Sequence, residues 1–323
     1  MKRYANIRPI LFLMVCSAVL PEVLSGNTPL RQFLFPPTFL FLSLAYGIPV
    51  LIIREYAMRH RLSAGGIFWL GLGFGVINEG FLAKTLLMSR NVPNPAFDAY
   101  GMWLGVNWTW TMTICLWHAG FSVLLPITIT HHLFPAESAR LWLNRKTILL
   151  LLSSSAFICF AIFLSGFRMH GSPLQLIVLL GLIALCVAIA TRFQTTGEEL
   201  EPQSIPIAPF LIGWCILPAY ILLSAIAARK LPFPDFPIAY ALMISGFVWS
   251  LKSHRWLTPR PLLVFGCGAY MQSALMALTL RLATHTFVPD SLIAEGAALI
   301  FFLFWQRKLR SCVNPRLYGQ GDF

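Results

Sequence analysis

The chain is short of charge, and of acid most of all. Only 11% of its 323 residues are charged, and 12 Asp and Glu stand against 24 Lys and Arg. A soluble domain usually carries about 25% charged residues, so an ordinary water-soluble fold is excluded. There is no Gly-x-x-x-x-Gly-Lys loop to cradle nucleotide phosphates. The stretches between apolar runs are too short for a soluble catalytic domain, which puts any chemistry in or near a bilayer. Alternating strand patterns are missing, which argues against an outer-membrane barrel. Seven cysteines occur without a CxxC pair, six of them inside apolar runs. They read as small buried hydrophobes, not as a disulfide framework or metal site. The net charge of +12 is unaccompanied by a basic domain, an RNA-binding motif or zinc-finger spacing. No nucleic acid, metal or cofactor is therefore expected.

What the chain has instead is apolar length. It is 57% hydrophobic, and runs of about twenty apolar residues recur from end to end. The fold class is all-α, a polytopic transmembrane helix bundle of about ten helices in one integral membrane domain spanning 1–323. The expected segments are 8–24, 36–53, 65–88, 103–130, 147–167, 173–190, 206–228, 237–251, 261–283 and 290–306, with prolines marking the joints. Arginines and lysines concentrate in alternate loops, and this bias puts both termini in the cytoplasm. Residues 1–20 imitate a signal peptide, but no A-x-A-like site follows, so an uncleaved first helix is expected.

Two of these segments carry polar groups where hydrocarbon penalises them. Asn78 and Glu79 interrupt the apolar run from Ile67 to Leu87, with Lys84 close behind. An ionised group at a helix centre costs roughly 2.5–3.5 kcal/mol even on a lenient scale, so such groups face protein or a wet cavity. Gly71, Gly75, Glu79 and Ala83 step by four and form one stripe, which Asn78 joins. Small residues at that spacing let a neighbouring helix approach closely. Lys84 lies about 140° away from Glu79 on a helix, so it points elsewhere, to the interface or to an inward partner. In the next segment Asn107, Thr111, His118 and Ser122 fall within about 60° of one another. Trp103, Trp108 and Trp110 fit an outer aromatic belt. The expected site is thus Asn78, Glu79, Asn107, Thr111, His118 and Ser122, in the outer half of the bundle. Glu79 and His118 are its candidate catalytic pair, expected to line one pocket at different depths, with direct contact between them left open. Glu22 is expected at the headgroups, with the outer cavity as the alternative. Arg54-Glu55 and His131-His132 are expected at the interface.

Several short pieces in residues 1–135 carry a resemblance. They are Pro21 to Pro29, Tyr46-Gly47, Ile53 to Glu55, Gly75 to Gly80, Gly105 to Trp108, His118, Ser122 and Pro126. In these the chain resembles a family of uncharacterised prokaryotic polytopic membrane proteins, which implies a multi-pass protein of the cytoplasmic membrane and no particular activity. A fainter similarity is to the CAAX-protease and bacteriocin-processing intramembrane family. There Glu79 would take the second Glu of a Glu-Glu-x-x-x-Arg helix and His118 the first His. Asn78 replaces the first Glu, Ala83 the Arg and Ile114 a Phe, and no second His-x-x-x-Asn follows.

The sequence supports three readings. The first is binding or transport of a small solute or lipid-like molecule through the polar site. The second is an intramembrane hydrolase or transferase using Glu79 and His118. The third is a non-catalytic scaffold whose polar residues join helices. The lipid bilayer is the expected surrounding, and a homo-oligomer stays open.

Overall fold

The computed structural model describes residues 7–23, 27–89, 100–166, 170–194, 209–215 and 259–283, with isolated residues among 238–304. The segments expected at 237–251 and 290–306 lie outside the described residues apart from those isolated positions. Of 206–228, only 209–215 is described.

The described chain is almost entirely helical. Helix α1 (Ile7–Ala18) continues as a π-helical turn, Val19–Val23. A short α2 (Leu30–Leu34) precedes α3 (Pro36–His60), which starts on prolines whose fixed φ suits a first turn. Helix α4 (Ala64–Val76) also continues as a π turn, Ile77–Leu82, and a 3₁₀ turn at Thr85–Leu87 follows. Two short strands, β1 (Met102–Trp103) and β2 (Val106–Asn107), form a hairpin. Helix α5 (Trp108–Trp117) runs into a third π turn, His118–Leu124, and then into α6 (Leu125–Leu133). Beyond a short α7 (Pro135–Ser138) come α8 (Arg145–Leu164), α9 (Pro173–Ala190) and α10 (Pro259–Ala283).

Five helical stretches are long and apolar enough to cross a membrane: Pro36–His60, Ala64–Leu82, Trp108–Leu133, Arg145–Leu164 and Pro173–Ala190. Their burial separates centre from periphery. Within its most apolar window, Ala64–Leu82 is 61% buried and Trp108–Leu133 is 56% buried, whereas Arg145–Leu164 is only 6% buried. The two polar-bearing helices are therefore central, and α8 shows its Leu and Phe side chains outward as a lipid-facing helix does.

The small-residue stripe explains the central packing. A Cβ on Gly71 would come within 2.7 Å of the Ala119 backbone, and one on Gly75 within 2.7 Å of the Cys115 backbone. Both glycines thus press α4 onto α5 and its π turn, closer than any side chain allows. Helix α4 also packs against α9 and α3, while α1 lies along α3.

The fourth expected segment starts later than the sequence reading placed it. Residues 102–107 fold as the hairpin, with Met102 opposite Asn107 and Trp103 opposite Val106. Leu104 and Gly105 both take positive φ, 52° and 74°, as a tight two-residue turn requires. Asn107 then caps α5, its side chain accepting from the Trp110 N–H at 3.0 Å.

Arg54-Glu55, expected at the interface, is covered by protein. Both side chains are fully buried and bonded to each other. Arg54 also reaches the Ser138 carbonyl (2.7 Å) and His131 Nε2 (3.2 Å), and stacks 3.7 Å from the Trp142 ring centroid. Glu55 accepts the backbone N–H groups of Trp142 (2.9 Å) and Leu143 (3.2 Å). The cause is the segment after α6, which folds back over this end of α3 and removes it from water. His131 is drawn into the same cluster, while His132 stays exposed.

Candidate functional site

Three helices bring their π turns to one place. Glu22 lies on the first, Asn78 and Glu79 on the second, His118 and Ser122 on the third. A π turn bonds i to i+5, as the Ala83 N–H does to the Asn78 carbonyl at 2.8 Å. The widened turn changes the phase of the side chains, so the consecutive residues Asn78 and Glu79 both reach His118. Such turns concentrate at functional sites.

At the centre, His118 Nε2 lies 3.0 Å from Glu79 Oε1 and 3.2 Å from Asn78 Nδ2. The other ring nitrogen, Nδ1, lies 2.9 Å from Ser122 Oγ. Glu79 Oε2 accepts from the Thr85 hydroxyl, which in turn accepts from Trp110 Nε1 at 2.9 Å. Away from Glu79 the bonds continue outward. Asn78 Nδ2 donates to the Tyr46 hydroxyl at 3.3 Å, and Tyr46 donates to Glu22 Oε1 at 2.5 Å. Thr28 donates to the remaining Glu22 oxygen at 2.6 Å. Tyr46, Asn78, Glu79, His118 and Ser122 are all buried, and Glu22 is half-buried. Phe74 closes the apolar side, its ring edge-on to His118 with centroids 5.5 Å apart.

This geometry accommodates two states that differ by one proton. With the proton on His118 Nε2, the ring donates to the Glu79 carboxylate and Nδ1 accepts from Ser122. With Glu79 protonated and the ring hydrogen on Nδ1, Nε2 is the acceptor for the carboxyl, with the Asn78 amide alongside at 3.2 Å, and Nδ1–H donates to Ser122. Asn78 links this pair to Tyr46 and Glu22 by orientation, because an amide does not readily pass a proton.

The sequence-derived set divides here. Asn78, Glu79, His118 and Ser122 come together. Glu79 and His118, whose contact the sequence left open, touch at 3.0 Å. Asn107 and Thr111 serve the start of α5, where the Thr111 hydroxyl donates to the Asn107 carbonyl at 2.7 Å. Their place on the polar stripe assumed a helix already running at Asn107, but the helix begins one residue later. Trp110 leaves the expected aromatic belt for the core, and Trp103 stays outside at 57% exposure. Lys84 takes an inward partner. Its side chain is fully buried and donates to the Ser165 carbonyl, at the end of α8, across 2.8 Å.

Glu22, Tyr46 and Thr85 complete the network; Glu22 takes the alternative place the sequence offered it, and sequence reasoning did not place Tyr46 and Thr85 there. One signal was available for Tyr46. A Cβ on Gly47 would sit 2.6 Å from Met14, so the neighbouring glycine marks where α1 and α3 touch and brings Tyr46 beside Glu22. Among the described residues there is no cluster of three or more His, Cys, Asp or Glu that could hold a metal ion.

No curated protein and no solved structure matches the chain significantly. Residues 11–307 match the model of an uncharacterized membrane protein family, well past residue 135 where the pieces of sequence likeness end. The chain belongs to that uncharacterized membrane protein family.

Proposed function

We propose that the protein binds and moves a small solute or lipid-like molecule through the prokaryotic cytoplasmic membrane, with the Glu79–His118 pair in the outer half of the bundle as its proton-responsive centre. The observation that supports this is the continuous series of polar contacts from half-buried Glu22 through Tyr46 and Asn78 to His118 and Glu79. Protonation at either acid redistributes bonds shared by α1, α3, α4 and α5, so helix packing follows the proton. The test is reconstitution of the full chain into vesicles with an internal pH dye, challenged with a solute panel under an imposed pH gradient. Solute-dependent proton movement that Glu79→Gln abolishes is the expected result. Solute flux untouched by Glu79→Gln would remove the role given to this residue.

A second reading, an intramembrane hydrolase or transferase, is favoured by one contact. A carboxylate and an imidazole 3.0 Å apart meet the reach that general acid–base work needs, about 2.6–3.2 Å. Turnover of a lipid or peptide substrate by the purified protein, lost in His118→Gln, would move the assignment to that class.

A further inference from the structure

At the far end of α3 from the polar site lies a shallow depression of about 510 Å³, lined by Met58, Arg59, His60, Ala139, Leu141 and Arg145. Its level in the membrane follows from its walls. His60 is the last residue of one apolar span and Arg145 the first of another. The depression therefore opens where hydrocarbon gives way to headgroups.

Its polar lining is cationic. Arg59 gives one guanidinium nitrogen to the Leu143 carbonyl at 2.6 Å, yet its buried Nε has no hydrogen-bond partner. Arg145 is exposed in the first turn of α8, where backbone N–H groups and the helix dipole favour an anion. The nearby carboxylates are already engaged, Glu55 in part by Arg59 itself, whose guanidinium lies 3.8 Å from Glu55 Oε2. Glu55 holds Arg54 and two backbone N–H groups, and Glu137 pairs with Arg140 at 3.8 Å. Beyond Arg145, α8 turns an apolar face outward through Leu149, Leu150 and Leu152, which are 62%, 67% and 50% exposed. A cationic depression thus stands directly above an uncovered apolar column. That pairing has the shape of a phospholipid, with an anionic phosphate at the boundary and acyl chains running along the helix.

We propose that this depression is a binding site for the phosphate head group of an anionic membrane lipid, held by Arg59 and Arg145, with its chains along α8. The site is separate from the Glu79–His118 network and does not depend on the transport reading.

The test is native mass spectrometry of the full chain in detergent, titrated with phosphatidylglycerol, phosphatidylcholine or inorganic phosphate. Phosphatidylglycerol should be retained over phosphatidylcholine. Arg145→Gln should lower that retention roughly fivefold, the usual worth of one basic side chain at an anionic surface. Arg192→Gln is the control. It removes an equal, exposed charge just beyond α9, in a segment tied to the end of α3 through the Ser63 N–H and Phe193 carbonyl. It should leave retention unchanged. Equal retention of phosphatidylcholine would overturn the proposal, as would an equal loss in Arg192→Gln. Displacement of phosphatidylglycerol by inorganic phosphate at the same concentration would also overturn it, in favour of a soluble anion. The unfolding midpoint of each variant separates these outcomes from a fold defect.

Discussion

Glu79 and His118, 39 residues apart in the chain, meet at 3.0 Å between two π-helical turns. Neither group has bulk water to replace its partner, so each single substitution leaves a buried polar group short of a bond. Glu79→Gln and His118→Gln should each destabilise the protein by about 1–3 kcal/mol. The double variant should lose less than the sum, with a coupling of about 0.5–3 kcal/mol. Denaturant unfolding in detergent measures the cycle, and strict additivity would show that the two groups do not interact.

Tyr46→Phe is the cleanest way to cut the outer link. The ring keeps its packing against Phe74, with centroids 5.8 Å apart, while the bonds to Glu22 and Asn78 disappear. A stability loss of about 1 kcal/mol is expected. The functional prediction is sharper: Tyr46→Phe and Glu22→Gln should give the same change in the pH dependence of activity, and combining them should add nothing. Independent effects would separate Glu22 from the site.

Close packing at the glycine stripe predicts a steep steric response. Gly71→Ala and Gly75→Ala put a methyl against backbone at 2.7 Å, which must push the helices apart. The expected cost is about 1–3 kcal/mol each. Gly181→Ala, inside α9, meets nothing within 4 Å and serves as the control; it should be neutral to stabilising, by up to about 1 kcal/mol. Thermal unfolding of the three variants decides between this and a loosely packed interface.

The buried ion pair at the other end of α3 should respond like a keystone. Glu55→Gln removes the charge that faces fully buried Arg54 and weakens the hold on the Trp142 and Leu143 N–H groups. A loss of about 3–5 kcal/mol is expected for breaking such a pair from one side. Limited proteolysis between Phe134 and Asn144 should speed up in parallel. An unchanged cleavage rate would mean that the pair does not hold this segment.

Much of the fold could be read from local chemistry. Apolar length marked α3, α8 and α9, and the Ser172-Pro173 start of α9 stands where a cap and an N1 proline belong. The stripe of Gly71 and Gly75 correctly pointed Glu79 into a helix interface. What stayed hidden depended on non-local folding or on departures from α geometry. Gly101 and Gly105 looked like the mouth of a helix, yet their positive φ angles belong to the hairpin. The burial of Arg54-Glu55 stayed hidden because nothing local announces that residues 134–143 fold back over it. The contact between Glu79 and His118 stayed open because each segment was read as a straight, regular helix. Tyr46 was passed over because a tyrosine in an apolar run looks like packing until its partners are known.

The π turns give the site an unusual sensitivity to chain length. Each can be regarded as an α-helix carrying one surplus residue, so removing one residue within Ile77–Leu82 would let that helix relax to regular winding. The helix beyond the deletion would keep its phase, because the wide turn absorbs the surplus residue locally, while the side chains within the turn would be re-spaced. Asn78 and Glu79 would then no longer share His118, although no polar side chain had been altered. In this bundle the register of the backbone is itself a setting of the site, one that point substitution cannot reach and a single-codon deletion can.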